Sequence, residues 1–303
     1  MKIPPTLKLG DKIGIIATAR KISEAELLPA IKKFNEWGLK VVLGKNLYKS
    51  DNQYSGSDDE RTADLQTMLN NPEIKAIICA RGGYGTVRII DEIDFTNLVK
   101  HPKWIIGYSD VTVLHSHIHQ QFGIATLHAT MPFNFPTAGY DNTAITTLKN
   151  ILFGKNPEPI IIPSSPLNRS EKAKGILTGG NLSILYSLIG TKSDIDTKNK
   201  ILFLEDLDEY LYHIDRMMMN LKRAGKLENL AGLIIGGMTE MKDNTVPFGK
   251  TAEEIIAETV AEYNYPVCFN FPAGHIKNNT ALIFGEKYEL TVEDIVTVKS
   301  QNL

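Results

Sequence analysis

Three apolar, strand-like runs in this chain each stop at a polar side chain that can take part in acyl transfer. WIIG (104–107) is followed by Tyr108, Ser109 and Asp110, and ILFL (201–204) by Glu205 and Asp206. PVCFNFPAG (266–274) is followed by His275. A serine hydroxyl is a weak nucleophile until a base takes its proton. Histidine can be that base because its ordinary pKa lies near neutrality. A carboxylate fixes the tautomer of the imidazole and stabilises the imidazolium. The chain order Ser, acid, His is also that of the α/β-hydrolases, whose nucleophile sits in a GxSxG turn. Residues 107–111 read GYSDV and lack the second glycine, so a helix-capping role for Ser109 stays open on the pattern alone.

A second cluster follows IKAIICA (74–80), where residues 81–85 read RGGYG. Closely spaced glycines let backbone N–H groups approach a ligand and can cradle a phosphate or an oxyanion. The loop lacks the GK[ST] of a P-loop and the GxGxxG of a dinucleotide fingerprint. A tight strand-to-helix turn is the plainer reading. Arg81 can form a bidentate pair with a substrate carboxylate, or an internal ion pair. Asn181, in GGNL, can line a cleft or cap the following helix, and Tyr108 can be cleft wall or ligand contact. Asp206, Asp208 and Glu209 compete with Glu205 for the acid role. His115, His117 and His119 suggest a metal cluster, but His117 lies off the face shared by the other two and no third ligand is near. Metal binding by these histidines is therefore not expected, and His115 is expected to pack under the serine turn. Met217 to Met219 read as core filling.

These side chains need a scaffold. The first half alternates short apolar runs with amphipathic helical segments, which predicts a parallel sheet covered on both faces. Strands are expected at KIGIIA, LKVVLG, IKAIICA, WIIG and IATLHAT. The segment from Ser23 to Gly38 reads as a helix, with Ser23 and Glu26 as a capping box. The second half repeats the alternation: a Gly-rich turn (GILTGGN) enters a helix, KILFLED and LAGLIIGG read as strands, and ALIFGEKYELTV as a closing hairpin. The predicted class is α/β, with an N-terminal Rossmann-like domain (1–154), a proline-rich linker (155–172) and a C-terminal α/β domain (173–303). With 303 residues, two domains are expected. In such sheets ligands gather at the carboxyl ends of the strands.

Net charge is −2, from 33 basic against 35 acidic residues, which argues against a nucleic-acid partner. The longest apolar run near the N-terminus, IGIIA, is too short for a signal-peptide core or a membrane span. The sequence reads as cytoplasmic, with no membrane partner. Cys79 and Cys268 sit in separate apolar runs and read as core residues.

Taken together, RGGYG, GYSD, GGNL, FLED with its following IDRM helix, and the late GH resemble the LD-carboxypeptidase family. The likeness runs from about Lys8 to about Val298. It implies cytoplasmic serine peptidases, homodimeric and cofactor-free, with the active site between the two domains. It places the nucleophile at Ser109, the triad acid at Glu205 and the base at His275. The oxyanion hole falls on the backbone N–H groups of Gly83 and Asp110. The implied reaction releases terminal D-alanine from an L-diamino acid in a murein tetrapeptide. An amidase resembling the microcin-immunity members of the family, cleaving a peptidyl-nucleotide antibiotic, is the alternative. A non-catalytic binder of nucleotides or other anions, using RGGYG and GGNL as cradles, is a third reading.

Overall fold

A computed structural model of the chain describes residues 1–137, 141–155 and 157–301. Residues 138–140 of the expected first domain, 156 of the linker and 302–303 of the second domain lie outside it.

The first half supplies β1 (Lys12–Ile16), α1 (Glu24–Glu36), β2 (Lys40–Leu43), α2 (Asp58–Asn70) and β3 (Ile74–Cys79). They are followed by α3 (Thr86–Ile89), α4 (Thr96–Lys100), β4 (Trp104–Gly107), α5 (Thr112–Phe122), β5 (Thr126–His128) and α6 (Thr143–Leu152). Ser23 caps α1 through the expected box with Glu26, which satisfies two otherwise orphaned N–H groups. The five strands pair in parallel in the order β2-β1-β3-β4-β5. Their residues are almost all apolar because helices cover both faces. Phe34, Trp37 and Leu148 pack on one face, Leu65, Leu98 and Leu114 on the other.

The second half supplies β6 (Ile160–Pro163), β7 (Glu171–Asn181), α7 (Leu182–Leu188), β8 (Lys200–Leu207), α8 (Leu211–Arg223) and β9 (Gly232–Thr239). After them come α9 (Ala252–Thr259), β10 (Val267–Cys268), β11 (Leu282–Phe284), β12 (Lys287–Val292) and β13 (Ile295–Ser300). The second sheet runs β10-β9-β8-β7-β12-β13-β6, parallel from β10 to β7 and antiparallel beyond.

Four local expectations change. GILTGGN is the end of the long strand β7, where the expected turn would be; Gly179 and Gly180 have positive φ there, and neighbouring groups leave no room for a Cβ, so both positions favour glycine. ALIFGEKYELTV is no hairpin: β11 pairs antiparallel with β5 in the first sheet, while β12 joins the second and pairs with β13. Gly285, at φ +95°, makes the turn between the sheets. Part of the proline-rich stretch forms the edge strand β6. Among the three methionines, Met217 and Met218 are core, whereas Met219 is exposed.

The sheets are joined by β11, whose Leu282 and Phe284 pack with Phe203 and Phe271 of the second core. The cysteines are free and buried, one in each sheet.

Candidate active site

β3 and β4 are parallel neighbours, so the loops at their carboxyl ends meet. Ser109 opens a 3-10 turn directly after β4, in the left-handed region at φ +62°. That conformation costs a non-glycine residue about 1–2 kcal/mol and concentrates at functional sites. The half-buried hydroxyl is thereby lifted clear of the strand. Glycine is required at 107 because a Cβ there would lie 2.7 Å from Val111, the residue at the absent second glycine. In the loop after β3, a Cβ on Gly82 would meet Ser109 Cβ and Oγ at 3.0 Å.

The side chain of Asp110 is fully buried and accepts the backbone N–H of Thr86 at 2.9 Å, so it ties the glycine loop to the serine turn. Burial raises its pKa, against the hydrogen bonds from Thr86 and Gly85. The backbone N–H groups of Gly83 and Asp110 have no acceptor among the described residues. Gly83 is at φ +120°, and the stem of Arg20 covers its open side.

The residues expected as acid and base lie in the second half of the chain, Glu205 in β8 and His275 in the loop after β10. His275 Nδ1 lies 2.6 Å from Glu205 Oε2, and its backbone N–H donates to the same oxygen at 3.1 Å. Glu205 is fully buried. Gly274 crosses it so closely that a Cβ would fall 2.7–2.8 Å from the glutamate side chain, which explains the glycine before the histidine. Burial disfavours the imidazolium, but the charge and hydrogen bond of Glu205 outweigh it and hold the His275 pKa above the ordinary value. The rivals are engaged elsewhere. Asp208 pairs with Lys242 at 2.6 Å, Glu209 binds His213 at 2.6 Å, and Asp206 binds Asn181.

The two groups are linked at two points. The Tyr108 ring packs on the His275 ring at 4.8 Å between centroids. Thr112 Oγ1, three residues past the serine, accepts the backbone N–H of Asn181 at 3.0 Å, and Asn181 is paired in register with Glu205. Ser109 Oγ and His275 share no direct hydrogen bond; such bonds are often long in unliganded enzymes.

Asn181 caps α7 by accepting from Ile184 N, and its amide also donates to Glu205 and Asp206. GGNL is therefore no anion cradle: the N–H groups of Asn181, Ser183 and Ile184 already have acceptors within the chain. Arg81 lies over the Phe133 ring at 3.9 Å and pairs with Glu26 at 3.6 Å. Burial, then the charge of neighbouring Arg20, lowers its pKa. Beside Tyr108 opens a polar cavity of about 280 Å³ lined by Thr130, Asn134, Lys277 and Asn279. A larger, mostly apolar cavity of about 430 Å³ near α6, β12 and β13 holds none of the candidate catalytic groups.

His115 Nε2 bonds the carbonyl of Gly107 at 3.0 Å, under the serine turn as expected. His117 bonds Ser193 and His119 bonds Thr126. Among the described residues no group of three or more His, Cys, Asp or Glu side chains is placed to hold a metal ion, and no helix is long and apolar enough to cross a membrane.

Arg20, Thr112 and the cavity residues escaped the sequence reading. Thr112 had a signal, three residues after Ser109 in a helix-start pattern. The others acquire meaning only through contacts between segments distant in sequence.

A serine in a left-handed turn beside a glycine loop, joined through Tyr108 to a carboxylate-bound histidine from the second half of the chain, brings together the residue types that a hydrolase acting on acyl groups uses. Residues 13–129 match the LD-carboxypeptidase N-terminal domain and residues 174–290 the C-terminal domain. The chain belongs to the LD-carboxypeptidase family and is an enzyme of the peptidase class. It is 38% identical to a probable murein peptide carboxypeptidase of Bacillus subtilis, covering 97% of this chain and 93% of that one. Identity with the murein tetrapeptide carboxypeptidase of Pseudomonas aeruginosa is 26%, over 92% of each. The crystal structure of muramoyltetrapeptide carboxypeptidase from Oxalobacter formigenes superposes with a TM-score of 0.87 at 25% identity, covering 96% of this chain and 99% of that one. The microcin C7 self-immunity protein MccF shares the fold, with a TM-score of 0.87 at 21% identity over 99% and 98% of the two chains.

Proposed function

We propose that this enzyme is a serine carboxypeptidase that removes the terminal D-alanine from murein tetrapeptides through Ser109, His275 and Glu205. The observation that carries the reading is the Glu205–His275 pair, 2.6 Å apart, with the carboxylate fully buried and the imidazole packed on the residue preceding the raised serine. Ser109 attacks the carbonyl of the penultimate residue while His275 takes its proton. The oxyanion is received by the backbone N–H groups of Gly83 and Asp110; one such donor is worth about 10²–10³ in rate. His275 returns the proton to the departing amine, and water repeats the sequence on the acyl-enzyme. The names of the relatives support the murein peptide as substrate. We read the enzyme as a cytoplasmic homodimer with an N-terminal domain carrying the nucleophile and a C-terminal domain carrying acid and base.

The shared fold keeps an amidase of the MccF kind as the second reading. Both tryptophans, Trp37 and Trp104, are buried and unable to stack on a nucleobase, which favours the peptide. Mass spectrometry of murein tetrapeptide incubated with wild type and with Ser109→Ala tests the proposal. Loss of one alanine with wild type alone is the expected result; equal trimming by both proteins would refute it.

A further inference from the structure

Glu205 and Asp206 are consecutive residues of a strand, and consecutive strand side chains point to opposite faces. Here both reach the same amide: Asn181 Nδ2 donates to Asp206 Oδ1 at 2.9 Å and to Glu205 Oε1 at 3.3 Å. The cause is local. The pairing of β8 with β9 slips between Leu204 and Asp206, and such irregularities re-aim side chains beside active sites. Both carboxylates are almost wholly buried, so neither is an incidental surface acid.

The remaining bonds of Asp206 are all to fixed groups. Its Oδ2 accepts the N–H of Ser183 at 2.8 Å and its Oδ1 the N–H of Leu207 at 2.8 Å. The other end of the Asn181 amide is also held: Oδ1 accepts from Ser183 Oγ at 2.7 Å and Ile184 N at 3.2 Å. Asn181 thus has no rotational freedom, and one of its two amide hydrogens is available for Glu205 Oε1. With Oε1 occupied, Oε2 is left for His275.

We infer that Asp206 is a positioning residue for catalysis: it locks the Asn181 amide, which locks the Glu205 carboxylate in the orientation that aligns His275. This inference rests on the Ser109–His275–Glu205 reading. The charged and titratable groups around Asp206 and its targets are Glu205 on its own strand, His275 from the loop after β10, Glu240 just past β9 and Tyr108 from the serine turn. Burial, then the charge of Glu205, pushes the Asp206 pKa up to about 7, and an ionised Asp206 adds to the basicity of His275.

The test is a double-mutant cycle on purified enzyme with murein tetrapeptide. Asp206→Asn keeps the shape but turns an NH2 group toward the donors Asn181, Ser183 and Leu207. We expect kcat to fall by about 10- to 100-fold, the cost of a small misalignment, with KM within about 2-fold. The acid limb of kcat/KM should move to lower pH, which a purely structural role would not produce. In an Asn181→Ala background the same change should cost less than about 2-fold, because the residues act in series. If Asp206→Asn does not fold, Asp206→Ser, which keeps one acceptor, is put through the same cycle with the same expectations. Unchanged kcat, an effect confined to KM, an unmoved acid limb or full additivity with Asn181→Ala would each overturn the inference. Ser109→Ala and His275→Ala run alongside. If they retain activity the triad reading fails, whereas if they abolish it and the Asp206 variants behave as wild type, only this inference fails.

Discussion

His275 is bound twice by one oxygen of Glu205, through Nδ1 at 2.6 Å and through its own backbone N–H at 3.1 Å. The carboxylate therefore fixes both the ring and the main chain that carries it. Nδ1 is the donor to that oxygen, so Nε2 is the nitrogen free to act as base. Replacing Glu205 with Gln offers an amide that must place an NH2 group where an acceptor is needed or turn away. If the proposed triad holds, kcat should fall by about 10³- to 10⁴-fold with little change in KM, as for loss of the acid in the serine-protease triad. Steady-state kinetics on murein tetrapeptide checks this.

The pH profile follows from the same pair. Because the charge and hydrogen bond of Glu205 outweigh burial, His275 holds its proton to a pH above the ordinary histidine value of about 6.5. In the proposed mechanism His275 acts as base only when neutral, so kcat/KM should rise with pH through an acid limb above that value. In Glu205→Gln burial is opposed only by the charges of Asp206 and Glu240, and the limb of the residual activity should shift to lower pH. A limb that stays in place would assign the titration to another group.

The glycine loop gives a third expectation. A methyl group on Gly82 would press on Ser109 Oγ, and one on Gly83 would meet the Arg20 stem in a backbone conformation that disfavours side chains. Gly82→Ala should lower kcat by about 10²-fold by displacing serine or oxyanion donors, with the protein still folded by circular dichroism. Gly83→Ala should reduce both activity and melting temperature.

The buried histidine under the serine turn predicts a stability effect. Burial lowers the His115 pKa to about 4, against a hydrogen bond to Gly107 that favours charging. Between about pH 6.5 and 4 the unfolded chain binds a proton at this site that the folded one refuses, so the contribution of His115 to stability is lost as pH falls through that window. The stability of wild type minus that of His115→Gln should therefore shrink on acidification, by up to about 3 kcal/mol. Denaturant titrations of both proteins at pH 7 and pH 4.5 read the difference.

Ser109 was legible because WIIG stops abruptly at the end of β4; the apolar runs before Glu205 and His275 also marked those residues, although Glu205 lies within β8 and His275 in the loop well beyond β10. The threonine-to-asparagine and asparagine-to-glutamate links were not legible. Thr112 meets Asn181, and Asn181 meets Glu205, across sequence separations that no local period encodes. GGN read as a turn because its two glycines usually signal one, yet here they admit Phe203 and Thr112 against the strand. β11 was misassigned because three apolar residues carry no sign of which sheet they join. The slip in β8 that turns Glu205 and Asp206 toward one amide leaves no trace in composition at all.

Labelling with a fluorophosphonate, followed by peptide mapping, tests the central claim most directly. We expect one adduct per chain, on Ser109, formed rapidly by wild type and at least about 10³-fold more slowly by His275→Ala. An adduct on a different residue, or an enzyme that trims tetrapeptide while remaining unlabelled, would contradict it.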